Sequence, residues 1–411
     1  MDKQQEELLN NNNDVKTNRN FILTIVSIGH GIAHWYGESF PVMLPFIQTT
    51  MGFTNVQYGL LGTIQGISSG LVNIPGGIIA DRFRQYWGHI LTLCMFFIAL
   101  SYAMLGASFN YYIMIIVVIV VIIPGTIWHL PAAAAISQMF PDKRGFALSM
   151  HGVGANAGNL LGPIATGALL GFMQWKNISF IYVTPALIAT AILWFTIKNI
   201  GQSHQNELGV TMGQWFRQAK RMISNPIVIG LIIVALFRTG TTGTMMIWVP
   251  RYLTDPVVSG GLGMSSVMMG LHIGLLAGTG VLSGPFMGII SDRFGRKSVL
   301  VPGLVISSIL PAIVVNLNGG AGLIIILALM GLFVWSLHQI ILAAVLDVVD
   351  NGTEATAVGL AFAGASVIGA ISPLLGAFII ETYGLVSIFY YVSILTGVSA
   401  LIMMKIPLKK I

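Results

Sequence analysis

Charge is what this chain has least of. Only 8% of its 411 residues are Asp, Glu, Lys or Arg, against about 25% in ordinary soluble domains. A soluble globule with so few charges has no adequate polar surface, whereas a chain that is 55% hydrophobic suits a bilayer. Cysteine is almost missing too. The lone Cys94 lies in an apolar run, which excludes an intramolecular disulfide and leaves no thiol pair for redox chemistry. There is no P-loop, no His-Glu-x-x-His helix, no Cys-His cluster with metal-ligand spacing and no Gly-x-Ser-x-Gly elbow. No enzymatic activity, cofactor or metal is therefore expected. The net charge of +6 is not gathered into a patch for nucleic acid but falls in short clusters between apolar runs.

Those runs are the positive content of the sequence. A membrane span needs about 20 mainly apolar residues, and twelve stretches qualify: 21–47, 55–80, 86–107, 111–139, 145–172, 178–199, 226–253, 265–290, 298–317, 322–346, 354–381 and 384–405. The expected class is an all-α membrane protein of twelve transmembrane helices in two pseudo-symmetric six-helix bundles. Residues 1–20 read as a disordered cytoplasmic tail, 21–199 as the first bundle, 200–225 as a cytoplasmic linker, 226–405 as the second bundle and 406–411 as a short tail. With the N-terminus inside, Lys176 and Arg251 fall outside the membrane and Arg238 within a span, leaving 17 of the 20 Lys and Arg residues on the cytoplasmic side. The positive-inside rule thus puts both termini in the cytoplasm and the chain in the cytoplasmic membrane. The tenth-to-eleventh connection departs from it, carrying Asp347, Asp350 and Glu354.

The two halves repeat each other at an offset near 210. Gly77-Ile-Ile-Ala-Asp81-Arg82-Phe83 matches Gly288-Ile-Ile-Ser-Asp292-Arg293-Phe294, Gly162-Pro163 matches Ser372-Pro373, and His129 matches His338. Parallel halves related in this way mark transporters that rock around a central site.

On these residues the chain resembles the major facilitator superfamily. The loop Gly288 to Lys297 carries the family's motif in full, while the first copy keeps Asp81 and Arg82 but has Arg84 and Gln85 where Gly and Arg are usual. Trp128-His129-Leu-Pro131-Ala-Ala, Pro141-Asp-Lys-Arg144-Gly145, the glycine-rich fifth span, and His30 followed by Pro41 and Pro45 are similar to the fosmidomycin-resistance efflux group. That group tends to carry an acid where His34 stands and a His-Pro pair where His129-Leu130-Pro131 stands, so its substrate does not carry over. The resemblance implies a monomer and a central cavity lined by spans one, four, seven and ten. Asp81, Arg82, Asp292, Arg293 and Arg296 are then expected to latch the two conformations.

Ionisable side chains at membrane depth are costly and are functional candidates by default. His30, His34 and Glu38 follow at spacing four on one face of span one. Beside a carboxylate an imidazole holds a proton better, so the column reads as a proton-coupling site. The competing reading lets Glu38 snorkel to the outer interface and leaves the column to packing. Arg238 cannot shed its charge and needs a partner. Either a protein carboxylate, with Glu38 the obvious one, or an anionic group of a solute would supply it. His129 and His338, with Trp128 and Trp335 nearby, are placed to bind that solute from opposite sides. Lone intramembrane histidines and aromatics are more often packing, however. Gly154, Gly158, Gly162 and Pro163 form a smooth stripe for close helix packing. His151, His272, Gln65, Asn73, Asn156 and Asn159 read as helix-to-helix hydrogen bonders. The expectation is a secondary transporter whose partners are a small organic solute, with an anion favoured by Arg238, together with protons and the bilayer. Proton-coupled export by antiport is favoured over uptake by a symporter or uniporter. A transport-fold sensor or a membrane enzyme is the reading from other classes.

Overall fold

A long apolar segment in lipid has to satisfy its backbone polar groups internally, and the α-helix does this within one segment. The computed structural model describes the backbone of residues 3–201, 212–349, 364–367 and 369–408. Side chains 3–18, 74, 77–81, 212, 214–216, 218, 219, 334 and 335 are not described within those ranges. The helices are α1 (Lys3–Met51), α2 (Asn55–Arg82), α3 (Trp87–Ala107), α4 (Tyr111–Met139), α5 (Arg144–Leu170), α6 (Trp175–Ile197), α7 (Met212–Ile223), α8 (Pro226–Thr254), α9 (Ser266–Gly278), α10 (Gly280–Phe294), α11 (Arg296–Val314), α12 (Gly320–Leu346), α13 (Ser372–Tyr383) and α14 (Ser387–Lys405). Among the described residues, nine helical stretches are long and apolar enough to cross a membrane, with α9 and α10 together making one of them. The chain is a multi-pass membrane protein. The helices α1, α2 and α5 have 49, 28 and 27 residues and are richer in polar and small side chains.

Two boundaries differ from expectation. Helix α1 continues back to Lys3 through what read as a tail, where Glu, Gln, Leu and Lys are good helix formers. The linker holds α7, with basic Lys220 and Arg221 in its last turn. Asp350 and Glu354 lie outside the described residues, as does all of the eleventh expected span before Gly364.

Within the first half α1 packs on α4, α5 and α6, and α3 on α4 and α6; within the second, α11 packs on α12 and α14, and α8 on α14, α12 and α13. Matching hydroxyl triads tie the corresponding helices. Thr166 on α5 joins Ser39 on α1 and Tyr182 on α6, each at 2.8 Å. Ser372 on α13 joins Thr244 on α8 at 2.7 Å and Tyr391 on α14 at 2.9 Å.

The halves meet mainly through α5 against α9 and α2 against α13. Glycine permits both contacts. A Cβ on Gly59 would stand 2.7 Å from the Pro373 carbonyl, and one on Gly270 2.5 Å from the Pro163 carbonyl. The same end is tied by Tyr58, whose hydroxyl donates to the Ile247 carbonyl (2.9 Å), and by the Trp248 indole N–H, which donates to the Pro373 carbonyl (3.0 Å). Arg251 reaches Asn55 at 2.5 Å and Asp255 at 2.8 Å there. This end of the bundle is therefore closed.

Candidate solute and coupling site

The close fit of α5 on α1 builds the first part of the site. A Cβ on Gly154 would collide with the Ser27 carbonyl and one on Gly158 with the Gly31 carbonyl, while one on Gly162 would stand 2.7 Å from the Trp35 carbonyl. Only glycine lets the two backbones approach so far. The approach brings α5 groups within hydrogen-bonding distance of the histidines on α1. His30 Nδ1 lies 3.0 Å from the His151 carbonyl and His34 Nδ1 lies 2.8 Å from Asn159 Oδ1. Carbonyl oxygens only accept, so each Nδ1 carries the proton and each Nε2 keeps its lone pair. His129 on α4 completes the group, its Nδ1 3.1 Å from His30 Nε2. Ring centroids are 4.0 Å apart for His30 and His151, which stack, and 4.7 to 5.3 Å apart for the other pairs among His30, His34 and His129.

His30 and His151 are buried, whereas His129 is exposed although it lies mid-helix among protein groups. Gly125, one turn before it on α4, has nothing within 4 Å of where a Cβ would stand, and neither does Gly37 on α1. Open space therefore lies beside the face of α1 and α4 that carries the histidines.

Arg238 and His338 form the second part. Arg238 is 8% exposed, deep in the apolar helix α8, and within electrostatic reach of His338 on α12. The pair repeats that of His30 and His129, since α8 and α12 occupy the places of α1 and α4 in the repeat. Glu38 is half-buried and makes no hydrogen bond or ion pair among the described residues. It pairs neither with Arg238 nor with His34, whose ring is turned toward Asn159. The expected column of three thus divides, two histidines into the imidazole group and Glu38 apart from it.

Trp128 does not face the cavity. It is wholly buried, and a Cβ on Gly29 would stand 2.6 Å from its ring. It fills the α1–α4 interface and is removed from the solute-binding set, because α4 turns His129 and not its neighbour toward the opening. The side chains of Trp335 and Asp81 lie outside the described residues. His272 bonds the Met268 carbonyl of its own helix at 2.7 Å, not a neighbouring helix.

At the second-half motif Arg296 holds Asp292 one turn back and reaches Asp347 at the end of α12 at 2.7 Å. Asp347, noted in the sequence only as an exception to the charge rule, is thus the partner of the motif arginine. Arg293 lies over the Phe294 ring at 5.4 Å, and Arg82 is exposed. A first-half counterpart escaped the sequence reading. Arg19 on α1 makes a two-pronged contact with Asp142 in the α4–α5 turn, at 3.0 and 3.1 Å. The guanidinium holds the Asp142 carboxyl below the ordinary carboxylate range.

Comparison with known proteins agrees with this architecture. The sequence profile of the Major Facilitator Superfamily matches residues 23–256 and again 254–410. Multidrug resistance protein MdtG of Salmonella paratyphi C is 25% identical over 311 residues, covering 72% of this chain and 73% of that one. The Salmonella typhi protein of the same name is 25% identical over 309 residues, with the same coverage. Among solved structures, the nucleoside transporter NupG superposes with a TM-score of 0.79 at 14% identity, over 94% of this chain and 99% of that one. A D-xylose-proton symporter gives 0.75 at 14% identity, over 95% and 98%.

Proposed function

Because the chain belongs to the Major Facilitator Superfamily, we propose that it is a proton-coupled secondary transporter that exports a small anionic organic solute by alternating access. It works as a monomer of twelve spans in the cytoplasmic membrane, in two six-helix bundles (21–199 and 226–405) with both termini inside. The observation that carries the reading is Arg238, a guanidinium sunk in a membrane helix beside His338. A guanidinium keeps its charge at that depth, and its fork of donors suits an anionic group held bidentately beside the contacts it already makes within the protein. His129, exposed to the cavity from the opposite half, supplies the facing contact. With the termini inside, the closed end built by α2, α5, α9 and α13 is the outer one. In this state the solute site is therefore closed to the outside. Export is supported by the relatives named as multidrug resistance proteins.

Glu38 takes the proton. It is a carboxyl at membrane depth without a hydrogen bond among the described residues, a group whose charge can be cancelled by protonation as the cavity changes sides. His30 and His34 are held by carbonyl acceptors and serve the imidazole group instead. In the second half, Arg296 between Asp292 and Asp347 steadies the cytoplasmic ends of α10, α11 and α12 during the movement.

The test is flux in proteoliposomes, with carboxylates and phosphonates as candidate solutes and an internal pH dye. Antiport predicts solute movement opposite to protons and driven by an imposed pH gradient. Glu38→Gln should keep solute exchange while losing acceleration by the gradient. Protons and solute moving together would replace export by uptake. Unchanged gradient dependence in Glu38→Gln would remove Glu38 from coupling.

A further inference from the structure

Nothing in the spacing of His30, His34 and His129 along the chain resembles a metal motif, yet the fold gathers one ring nitrogen from each within 4.8 Å of the others. We propose that these three histidines bind one divalent late-transition-metal ion of the zinc class, with its remaining coordination position turned toward the central cavity. The proposal goes beyond the transport reading and does not depend on Arg238 or Glu38.

Three features carry it. The first is the state of the lone pairs. A metal needs an unprotonated nitrogen, and a ligating histidine commonly donates its other N–H to a carbonyl or carboxylate that fixes ring and tautomer. His30 and His34 already stand in that arrangement, with Nδ1–H committed to the His151 carbonyl and to Asn159 Oδ1. His34 Nε2 is sealed from solvent and has no hydrogen-bond partner among the described residues.

The second feature is reach. Tetrahedral zinc with bonds of about 2.0–2.1 Å sets its ligand nitrogens about 3.3 Å apart. His30 Nε2 and His129 Nδ1 are already 3.1 Å apart. The widest separation in the group, at most 4.8 Å, closes by a small ring rotation. The hydrogen bond between those two nitrogens is exchanged for metal bonds when the His129 proton moves from Nδ1 to Nε2. Charge is conserved in that step, since each imidazole enters and leaves it neutral.

The third feature is access. The α1 ligands are held inside, but His129 is exposed, and open space lies beside Gly125 and Gly37. Three protein ligands with one open position are the arrangement of zinc sites that accept an exogenous ligand, in contrast to closed structural sites. Asn159 is a positioning residue here, acting through His34.

The experiment is titration of the tag-free, detergent-solubilised chain with Zn(II) by calorimetry, and with Co(II) followed by visible absorption. One ion per chain is expected, with the visible bands of four-coordinate cobalt. Affinity should fall at least 100-fold in His34→Ala and His129→Ala. It should fall about 10- to 100-fold in Asn159→Ala, the range found when an outer hydrogen-bond partner is removed. His272→Gln, a histidine change elsewhere in the membrane region, should leave affinity and spectrum unchanged. Each variant is first shown to be monodisperse and to melt cooperatively; should an alanine variant fail there, His34→Gln or His129→Gln replaces it. Absence of stoichiometric binding to the folded parent chain overturns the proposal. So does equal affinity in parent and in the His34 and His129 variants, or loss of binding in His272→Gln as well. Solute transport by a chain shown to bind no ion would leave the export reading standing while this one fell, and specific ion binding without transport would do the reverse, so the two are separable.

Discussion

In the first half of the chain four imidazoles crowd together, with His30 at the centre; at the matching level of the second half stand one guanidinium and one imidazole. Both pairs of helices, α1 with α4 and α8 with α12, follow the same plan, and hydroxyl triads of the same composition brace both halves. The backbone plan is thus shared, while the chemistry turned toward the centre differs. The first half presents neutral nitrogen donors and a carboxyl, the second a fixed positive charge. Under the proposed function, such a division assigns the anionic part of a solute to one half and the change of protonation to the other. The arginine clamps differ likewise. Arg296 binds α10 and α11 to the end of α12, whereas Arg19 binds the early part of α1 to the α4–α5 turn.

The sharpest way to break the comparison is Arg238→Ala. If charge is the property of the second half, stabilisation by an organic anion in a thermal-shift screen should disappear. Loss of a buried charge partner is worth about 2–5 kcal/mol, or roughly 30-fold and more in affinity. A carboxylate or phosphonate that stabilises the variant as well as the parent shows that the anion site lies elsewhere.

Next is the packing that assembles the first half. A Cβ on Gly158 collides with the backbone of α1, whereas one on Gly240, in α8, would stand 3.1 Å from Ser372 Cβ and 3.4 Å from the Gly369 carbonyl, a tight fit but not a collision. Gly158→Ala should cost about 1–3 kcal/mol or more, and Gly240→Ala well under that. Melting temperatures of the two variants, compared in one detergent, check the ranking; equal losses would show the two seams to be alike.

The turn before the motif arginine gives a smaller and more local contrast. Gly295 sits at φ 92°, ψ 153°, a backbone state that only glycine adopts readily. Its counterpart Arg84 begins a 3₁₀ turn with ordinary dihedrals (Arg84–Tyr86). Gly295→Ala should destabilise by about 1–3 kcal/mol, measured by thermal melting, while Arg84→Ala should not strain its turn.

The smallest effect belongs to Asp142→Asn. Arg19 lowers the Asp142 carboxyl, so the pair stabilises the fold above the ordinary aspartate range and loses that contribution as pH falls through the lowered value. The variant should melt slightly below the parent at neutral pH, and the two curves should converge in strong acid. A gap that persists there would mean the contact is not electrostatic.

Much of the architecture was legible along the chain because a bilayer imposes a one-dimensional rule. The apolar runs had to be helices, and the paired Gly-Asp-Arg motifs revealed the repeat without any contact being known. The depth of Arg238 and of the histidines was legible for the same reason. The grouping of those residues was not. Spacing of four on α1 suggested that His30, His34 and Glu38 act together, but a helix face is wide enough for His34 to turn to Asn159 and leave Glu38 apart. Asp142 and Asp347 read as loop charges, since their partners lie 123 and 51 residues away.

By itself, then, the order of residues determined that the apolar runs are helices and which motifs recur between the halves, because both follow from local hydrophobicity and turn chemistry. The reach of α1 back to Lys3 and the helix in the linker were not read from it. Only the tertiary structure decided which side chains share a space. The imidazole group depends on α5 lying against the backbone of α1, an approach that rests on glycines whose contribution is the absence of a side chain. The inward turn of His129 and the burial of Trp128, adjacent on one helix, depend on which neighbours α4 meets. Contacts between residues a hundred positions apart are set by packing geometry, and no local pattern encodes it.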